Sequence, residues 1–94
     1  MSSVRKMVGV AMVNSLQTPC EGSIEILSID RQHKKAYVSW GFSDTNGQFL
    51  GSKSRNYFLN KEEFTETDIV EAVLENIMNY RIGRSHVFTE VKIT

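Results

Sequence analysis

An Asn-Gly pair near the middle of this 94-residue chain constrains its fold more than any other feature. Asn46 and Gly47 follow Asp44 and Thr45, and an Asn-Gly pair tolerates the positive φ angles that tight β-hairpin turns require. The segment before this turn alternates strictly between apolar and other side chains, which is typical of a strand with one buried face. Its apolar positions are Ala36, Val38, Trp40 and Phe42. The pattern predicts an antiparallel hairpin with Trp40 and Phe42 in the core.

Two segments upstream of this hairpin differ sharply in composition. Val4 to Val13 is apolar on both alternation faces from Met7 onward, which predicts a central strand covered on both sides. Asn14 to Ser23 contains Asn, Ser, Thr, Pro and Gly, so a long loop carrying Cys20 is predicted there. Ile24 to Ile29 then predicts a strand that pairs with the alternating segment across a polar turn.

Further strands are predicted on both sides of the helix described below. Phe49 and Leu50 begin a strand after the Asn-Gly turn, and residues 55–59 alternate again. Gly51 lies between these two stretches and is typical of a bend or bulge, so one bent strand and two separate strands both fit. Val87 to Ile93 alternates to the end of the chain and predicts a last strand.

One amphipathic helix is predicted from Glu66 to Arg81. Thr65 is a suitable N-cap, Asp68 complements the positive end of the helix dipole, and Gly83 is a suitable terminator. Half of the helical wheel is apolar and must be covered by a sheet. The opposite side carries an acidic line, which consists of Asp68, Glu71 and Glu75.

These elements predict an α+β fold in a single domain covering residues 1–94. The order βββββαβ predicts an antiparallel or mixed sheet of about five or six strands, with the helix packed on one face. The composition, 40% apolar and 23% charged with one Pro, is that of an ordinary globular domain.

The charge balance disfavours partners that require a strongly basic protein. Eleven basic and eleven acidic side chains give zero formal net charge, whereas nucleic-acid and membrane-surface binding depend on a positive field. Residues 1–60 nevertheless carry three more basic than acidic side chains, and residues 61–94 carry three more acidic ones. Such a dipolar chain has the charge pattern to meet a copy of itself head to tail.

Catalytic and metal-binding motifs are scarce. The two histidines, His33 and His86, have no metal-ligand spacing, and Cys20 lacks the sequence surroundings of a catalytic thiol. The glycines do not form a phosphate-binding loop. We therefore expect no enzyme activity, no cofactor and no metal. A single cysteine also predicts a reducing compartment, and no segment predicts a signal peptide or a membrane-spanning helix.

Cations and aromatic rings lie next to each other at two places in the strand region. Arg31, Lys34 and Lys35 precede Tyr37, and Tyr57 and Phe58 lie at the end of a predicted strand. Stacking rings beside cations are typical of nucleic-acid-binding sheets, but the zero net charge favours a protein partner for these residues.

Residues 39–47, Ser-Trp-Gly-Phe-Ser-Asp-Thr-Asn-Gly, resemble small proteins of tailed bacteriophages, in which an aromatic strand enters an Asp/Asn-Gly hairpin. The helix from Phe64 to Met78 follows at a compatible distance, so the resemblance covers residues 36–80. It implies a non-enzymatic protein, either a virion component built by self-association or an accessory protein that binds a host machine. The implied location is the host cytoplasm or the virion.

The sequence thus predicts an assembly or binding module that acts by self-association, with unpaired sheet edges as the mechanism. The alternative is an inhibitor or regulator of a host enzyme or nucleic-acid complex, in which the acidic line stands in for phosphates. The candidate partner-binding residues are Arg31, Lys34, Lys35, Tyr37, Tyr57, Phe58, Asp68, Glu71 and Glu75. Phe88 would join them if it faced outward.

Overall fold

The computed structural model describes residues 3–82 and 86–94. It contains strands and one helix, which confirms the predicted α+β class. The elements are β1 (Ser3–Val13), β2 (Leu16–Asp30), β3 (Lys35–Asp44), β4 (Phe49–Phe58), α1 (Glu66–Met78), β5 (Arg81–Ile82) and β6 (His86–Ile93). The predicted terminator Gly83 lies outside the described residues.

All six strands belong to one antiparallel sheet with the order β4-β3-β2-β1-β6-β5. The first four strands form a meander, and the last long strand returns to pair with the first. β1 therefore lies between β2 and β6, which confirms its predicted central position in the sheet. The predicted cover on both sides is wrong, because α1 covers only the side that carries Met7 and Ala11, while Val4 on the other side is exposed. β5 consists of two residues and was not predicted.

The predicted loop from Asn14 to Ser23 is wrong, because most of this segment belongs to β2. Asn14 and Ser15 both have positive φ angles, 50° and 68°, and form a two-residue turn between β1 and β2. Positive φ at both central residues matches the right-handed twist of the flanking strands. The register then continues from Val13 opposite Leu16 without interruption, and places Cys20 opposite Gly9.

The region after the Asn-Gly turn is one strand, so four strands rather than five precede the helix. The Asp44 carboxylate accepts hydrogen bonds from the backbone N–H groups of Asn46 and Gln48, and Gly47 has a φ of 83°. Leu50 is an additional residue in the register between β3 and β4, which makes it a bulge. The bulge lets β4 bend without ending.

The core lies between α1 and one side of the sheet. Ile69, Val70, Val73 and Ile77 are the buried residues of the helix. They form a single apolar cluster with strand residues, among which Met7, Ile24, Val38, Trp40, Phe42 and Phe88 are almost completely buried. The predicted core positions of Trp40 and Phe42 are confirmed.

Trp40 is the centre of this core. Its ring makes edge contacts with Tyr80, Phe42 and Phe88, at centroid distances of 5.0, 6.2 and 6.2 Å. The indole N–H donates a 3.0 Å hydrogen bond to the Tyr57 hydroxyl, which donates in turn to the Asn76 side chain of α1. This chain of bonds satisfies the polar atoms that the sheet and the helix bury between them.

A capping box starts the helix at the predicted N-cap. Thr65 accepts a hydrogen bond from the Asp68 backbone N–H, and the Asp68 carboxylate accepts one from the Thr65 N–H. The helix ends at Met78, three residues before the predicted end. The backbone N–H groups of Asn79 and Tyr80 donate to the carbonyls of Asn76 and Ile77, three residues earlier instead of the four of an α-helix. The Tyr80 ring then contacts Trp40.

The capping box predicts an acid-sensitive contribution to stability. Two hydrogen bonds hold the pKa of Asp68 below its usual value of 3.8. The larger effect comes from the Thr65 backbone N–H, and the next comes from the Lys61 side chain. A lowered folded-state pKa means that this contribution is present above the unfolded-state pKa and is lost as the pH falls through the folded value. Asp68→Asn is therefore expected to lower the urea midpoint at pH 7. Below about pH 4, where the native carboxylate becomes protonated, the urea midpoints of the variant and the native chain should approach each other.

The control for this measurement is Glu71→Gln, which removes an exposed carboxylate from the same helix. We expect its effect on the urea midpoint to be smaller than that of Asp68→Asn at pH 7. Equal effects of the two variants would contradict a specific role for the cap.

Candidate interaction surfaces

The side of the sheet opposite α1 is uncovered by any described residue. We call it the open face. It consists of the strand residues that alternate with the core positions. The residues at its centre are all at least partly exposed. By register, the central part of the face carries Lys6 and Val8 of β1, Glu21, Ser23 and Glu25 of β2, Ser39, Gly41 and Ser43 of β3, and Ser52 and Ser54 of β4.

Exposed apolar side chains lie toward the two ends of this mostly polar centre. Phe49 and Phe58 lie at the two ends of β4 with 64% and 67% of their surfaces exposed, and Tyr37 is 39% exposed. Val4 is exposed on β1, and Leu27 is the additional residue of a bulge in β2. Tyr37 and Phe58 were predicted to lie on an interaction surface and Phe49 was not, although alternation counted back from Leu50 places Phe49 outward.

The described residues of the open face include three lysines and three glutamates, besides Asp30, which bonds to His33. Lys6, Lys35 and Lys92 alternate in space with Glu21, Glu25 and Glu90 across four strands. No ion pair involving any of these six occurs among residues 3–82 and 86–94. Their charges are therefore available to a partner.

The cations predicted at the β2–β3 turn are mostly engaged inside the protein. Arg31 donates to the Phe64 carbonyl and lies over the Phe64 ring, and Lys34 pairs with Glu62 at 3.1 Å. His33 bonds to Asp30, and this contact holds the pKa of the Asp30 carboxyl below its usual value. Of the predicted cations, Lys35 alone lies on the open face, opposite Phe58.

Two aromatic residues considered for the interaction surface lie in the core instead. Tyr57 is only 5% exposed because it alternates with the outward residues of β4 and bonds to Trp40 and Asn76. Burial raises the pKa of its hydroxyl. Phe88 is also buried, and its ring contacts Phe42 at 4.7 Å.

The predicted acidic line on α1 is divided by the capping box. Asp68 is bonded to Thr65 and to Lys61, whose ammonium lies 2.9 Å away. Glu71 and Glu75 remain exposed on the helix. The continuous row of free carboxylates needed to imitate phosphates is therefore reduced to two residues.

The described residues contain no cluster of three or more His, Cys, Asp or Glu side chains arranged to hold a metal ion. Cys20 is buried on the core side of β2, and burial raises its pKa to about 11. The thiol is thus protonated at neutral pH. Because a thiolate is the nucleophilic form, Cys20 is poorly suited to nucleophilic chemistry.

β4 is an edge strand, since only β3 pairs with it among the described residues. Its outer side adjoins a shallow groove against α1, which is lined by Arg55, Phe58, Ala72 and Asn76 among others. Lys53 and Arg55 are the charged residues of this strand.

Comparisons with protein-family models, curated proteins and solved structures find no match to this chain. Within the described ranges, no helix has the length and apolarity needed to cross a membrane. The surfaces above are therefore the basis on which function is inferred.

Proposed function

We propose that this protein is a non-enzymatic module that assembles with copies of itself through the open face of its sheet. The observation that carries the proposal is the collection of exposed apolar residues on the face opposite the helix, namely Val4, Leu27, Tyr37, Phe49 and Phe58. Exposed apolar groups gathered on one face mark interaction sites more often than isolated ones do.

The charges of the open face support a second copy as the partner. Its three lysines and three glutamates give each copy both signs, so two copies can place opposite charges against each other. Lys6 lies opposite Ser23, the residue between Glu21 and Glu25 on the next strand. A two-fold turn about an axis between β1 and β2 brings Lys6 of one copy between these two glutamates of the other.

The balanced charge also argues against nucleic acid as the occupant of this face. A phosphate backbone is bound through a surplus of Lys and Arg. The open-face side chains that the structure describes carry no such surplus. The serines and Gly41 on β3 and β4 are small enough for close sheet-to-sheet contact at about 10 Å. The longer Lys6, Glu21 and Glu25 lie on β1 and β2, where the opposite charges of a second copy would meet them. The resemblance of residues 36–80 to tailed-phage proteins supports a virion or virion-assembly role for such a module.

The self-association is tested by solution mass, measured by size-exclusion chromatography with light scattering across a wide range of protein and salt concentrations. The native chain is expected to give a multiple of 10.7 kDa. Ser23→Arg places a long cation at the centre of the open face, where Ser23 is exposed, and is expected to give the monomer mass without loss of folded signal in circular dichroism.

The matched control is Asn60→Arg, which adds the same charge at an exposed residue after β4. It is expected to retain the native mass. A native chain that stays monomeric at every concentration would overturn the proposal, as would a Ser23→Arg variant with an unchanged oligomer mass.

A further inference from the structure

The outer backbone groups of β4 form a row that pairs with no other strand among the described residues, although the Asn56 carbonyl accepts a hydrogen bond from Arg55 Nε at 3.2 Å. The Leu59 N–H donates to the Lys34 carbonyl at 2.8 Å, so this pair is a hydrogen-bonded pair of the β3–β4 ladder. Because such pairs alternate with non-bonded pairs, the residues between them direct their N–H and C=O groups outward. By register these residues are Ser52, Ser54, Asn56 and Phe58.

A side-chain contact supports this assignment of the ladder. The Ser54 hydroxyl donates to the Ser39 hydroxyl, with 2.9 Å between the oxygens. Side chains approach more closely in non-bonded pairs than in bonded ones, as expected for Ser39 opposite Ser54. Ser54 thus directs its backbone groups away from β3.

Two cations flank this row without a carboxylate partner. Lys53 lies over the Tyr80 ring at 5.3 Å, and the Arg55 guanidinium lies over the Tyr57 ring at 5.1 Å. Neither forms an ion pair with any described residue, whereas Arg5, Lys34 and Lys61 each contact a carboxylate. The rings hold both cations at the edge on the helix side of the sheet.

These cations determine which strand can be added. Two β4 strands paired antiparallel about their middle would bring Lys53 and Arg55 of both copies together, and like charges opposite each other destabilise a sheet. A strand with carboxylates at alternate positions would place them beside Lys53 and Arg55. Glu75 of α1 lines the same groove as Arg55. Because like charges repel, we expect a partner's carboxylates to lie at the strand edge and not deeper in the groove towards α1.

We propose that β4 binds an extended, acidic segment of a partner protein, which adds to the sheet as a seventh strand. Main-chain hydrogen bonds to the outward row supply the affinity, and the carboxylates at alternate positions supply the specificity. The opposite side chains of the added strand lie beside the small Ser52 and Ser54 and the exposed Phe58. This interface uses the outer edge of β4, adjoins the open face and shares Ser52, Ser54 and Phe58 with it.

The probe is the capped peptide Thr-Glu-Val-Glu-Val-Glu-Thr, compared with peptides that carry Gln or Lys in place of Glu. The acidic peptide is expected to bind the native chain about tenfold more tightly than the Gln peptide at low salt, since two exposed ion pairs are gained. Lys53→Glu/Arg55→Glu is expected to reverse the order, so that the Lys peptide binds best. Arg5→Glu/Lys34→Glu makes the same change in net charge at exposed residues outside the β4 edge and the open face, and is expected to keep the native preference.

Backbone pairing is tested by N-methylation of alternate peptide residues. The odd-numbered and the even-numbered residues of the peptide are methylated separately. Only one of these two sets directs its backbone N–H groups towards β4, so methylation of that set is expected to abolish binding and methylation of the other set is expected to leave binding unchanged. Absence of saturable binding by the acidic peptide would overturn the proposal, as would tolerance of both methylated sets. Equally tight binding of a single-stranded oligonucleotide would also overturn it, in favour of a polyanion site.

Discussion

Gly22→Ala is expected to lower the stability of the fold by about 3 kcal/mol, the upper end of the usual cost of overpacking. A Cβ atom on Gly22 would lie 1.9 Å from the carbonyl oxygen of Gly41 on β3 and 2.9 Å from its carbonyl carbon. These are backbone atoms and cannot rotate away, so β2 and β3 would have to separate at this point. Thermal unfolding should show a midpoint lower by about 15 °C for a domain of this size.

The matched control is Gly41→Ala, at the neighbouring glycine on β3. Its Cβ would lie 3.3 Å from the Ser52 Cβ and 3.6 Å from the Gly51 carbonyl oxygen, so a small adjustment accommodates it. We expect a change within about 1 kcal/mol, well below that of a clash between backbones. A Gly41→Ala variant less stable than Gly22→Ala would contradict the close approach of the two strands.

Trp40→Ala is expected to have the largest effect on stability, about 4 kcal/mol, as is usual when a buried Trp or Phe is truncated. The substitution removes the ring that contacts Tyr80, Phe42 and Phe88, and leaves a cavity beneath α1. Since proteins are stabilised by only about 5–15 kcal/mol in total, the substitution is expected to remove a large share of the free energy of unfolding. Urea unfolding followed by circular dichroism measures the loss.

Two further variants separate the contributions of the Trp40 ring and its hydrogen bond. Trp40→Phe keeps an aromatic ring but leaves the Tyr57 hydroxyl without its donor, and a cost of about 2 kcal/mol is expected, less than for Trp40→Ala. Phe58→Ala truncates an exposed ring and is expected to change stability by less than about 0.5 kcal/mol. Similar losses for Phe58→Ala and Trp40→Ala would contradict the described core.

The parts of the fold that could be predicted from the sequence are those with a strong local cause. The Asn46-Gly47 turn, the Thr65 cap and the Trp40 core position each follow from the conformational or burial preference of a few residues. The Asn14-Ser15 turn was missed because its residues are common in longer loops, and because β2 continues through Pro19 on the strength of pairing with β1. That pairing joins residues of two different segments, so the residues near Pro19 alone do not indicate it.

The candidate surfaces were harder to predict, because they depend on which face the helix covers. Alternation alone separates Tyr57 from Phe58 but does not say which of the two is buried. The answer comes from the bond between Tyr57 and Asn76, which joins β4 to α1 across the core. Likewise, Arg31 and Lys34 were predicted to be free because their partners, Phe64 and Glu62, lie about thirty residues away in the chain.

The pairing of β1 with β6 has a consequence for synthesis on the ribosome. The β1–β4 meander can form as it emerges, but one long side of β1 has no strand beside it until β6 is made, and Thr94 then bonds back to Lys6. A nascent chain therefore exposes a second, transient edge next to apolar side chains, and such edges are prone to non-native pairing. Because the closing step pairs residues 7–13 with residues 86–93, it has a high contact order, and we expect it to be slower than formation of the meander.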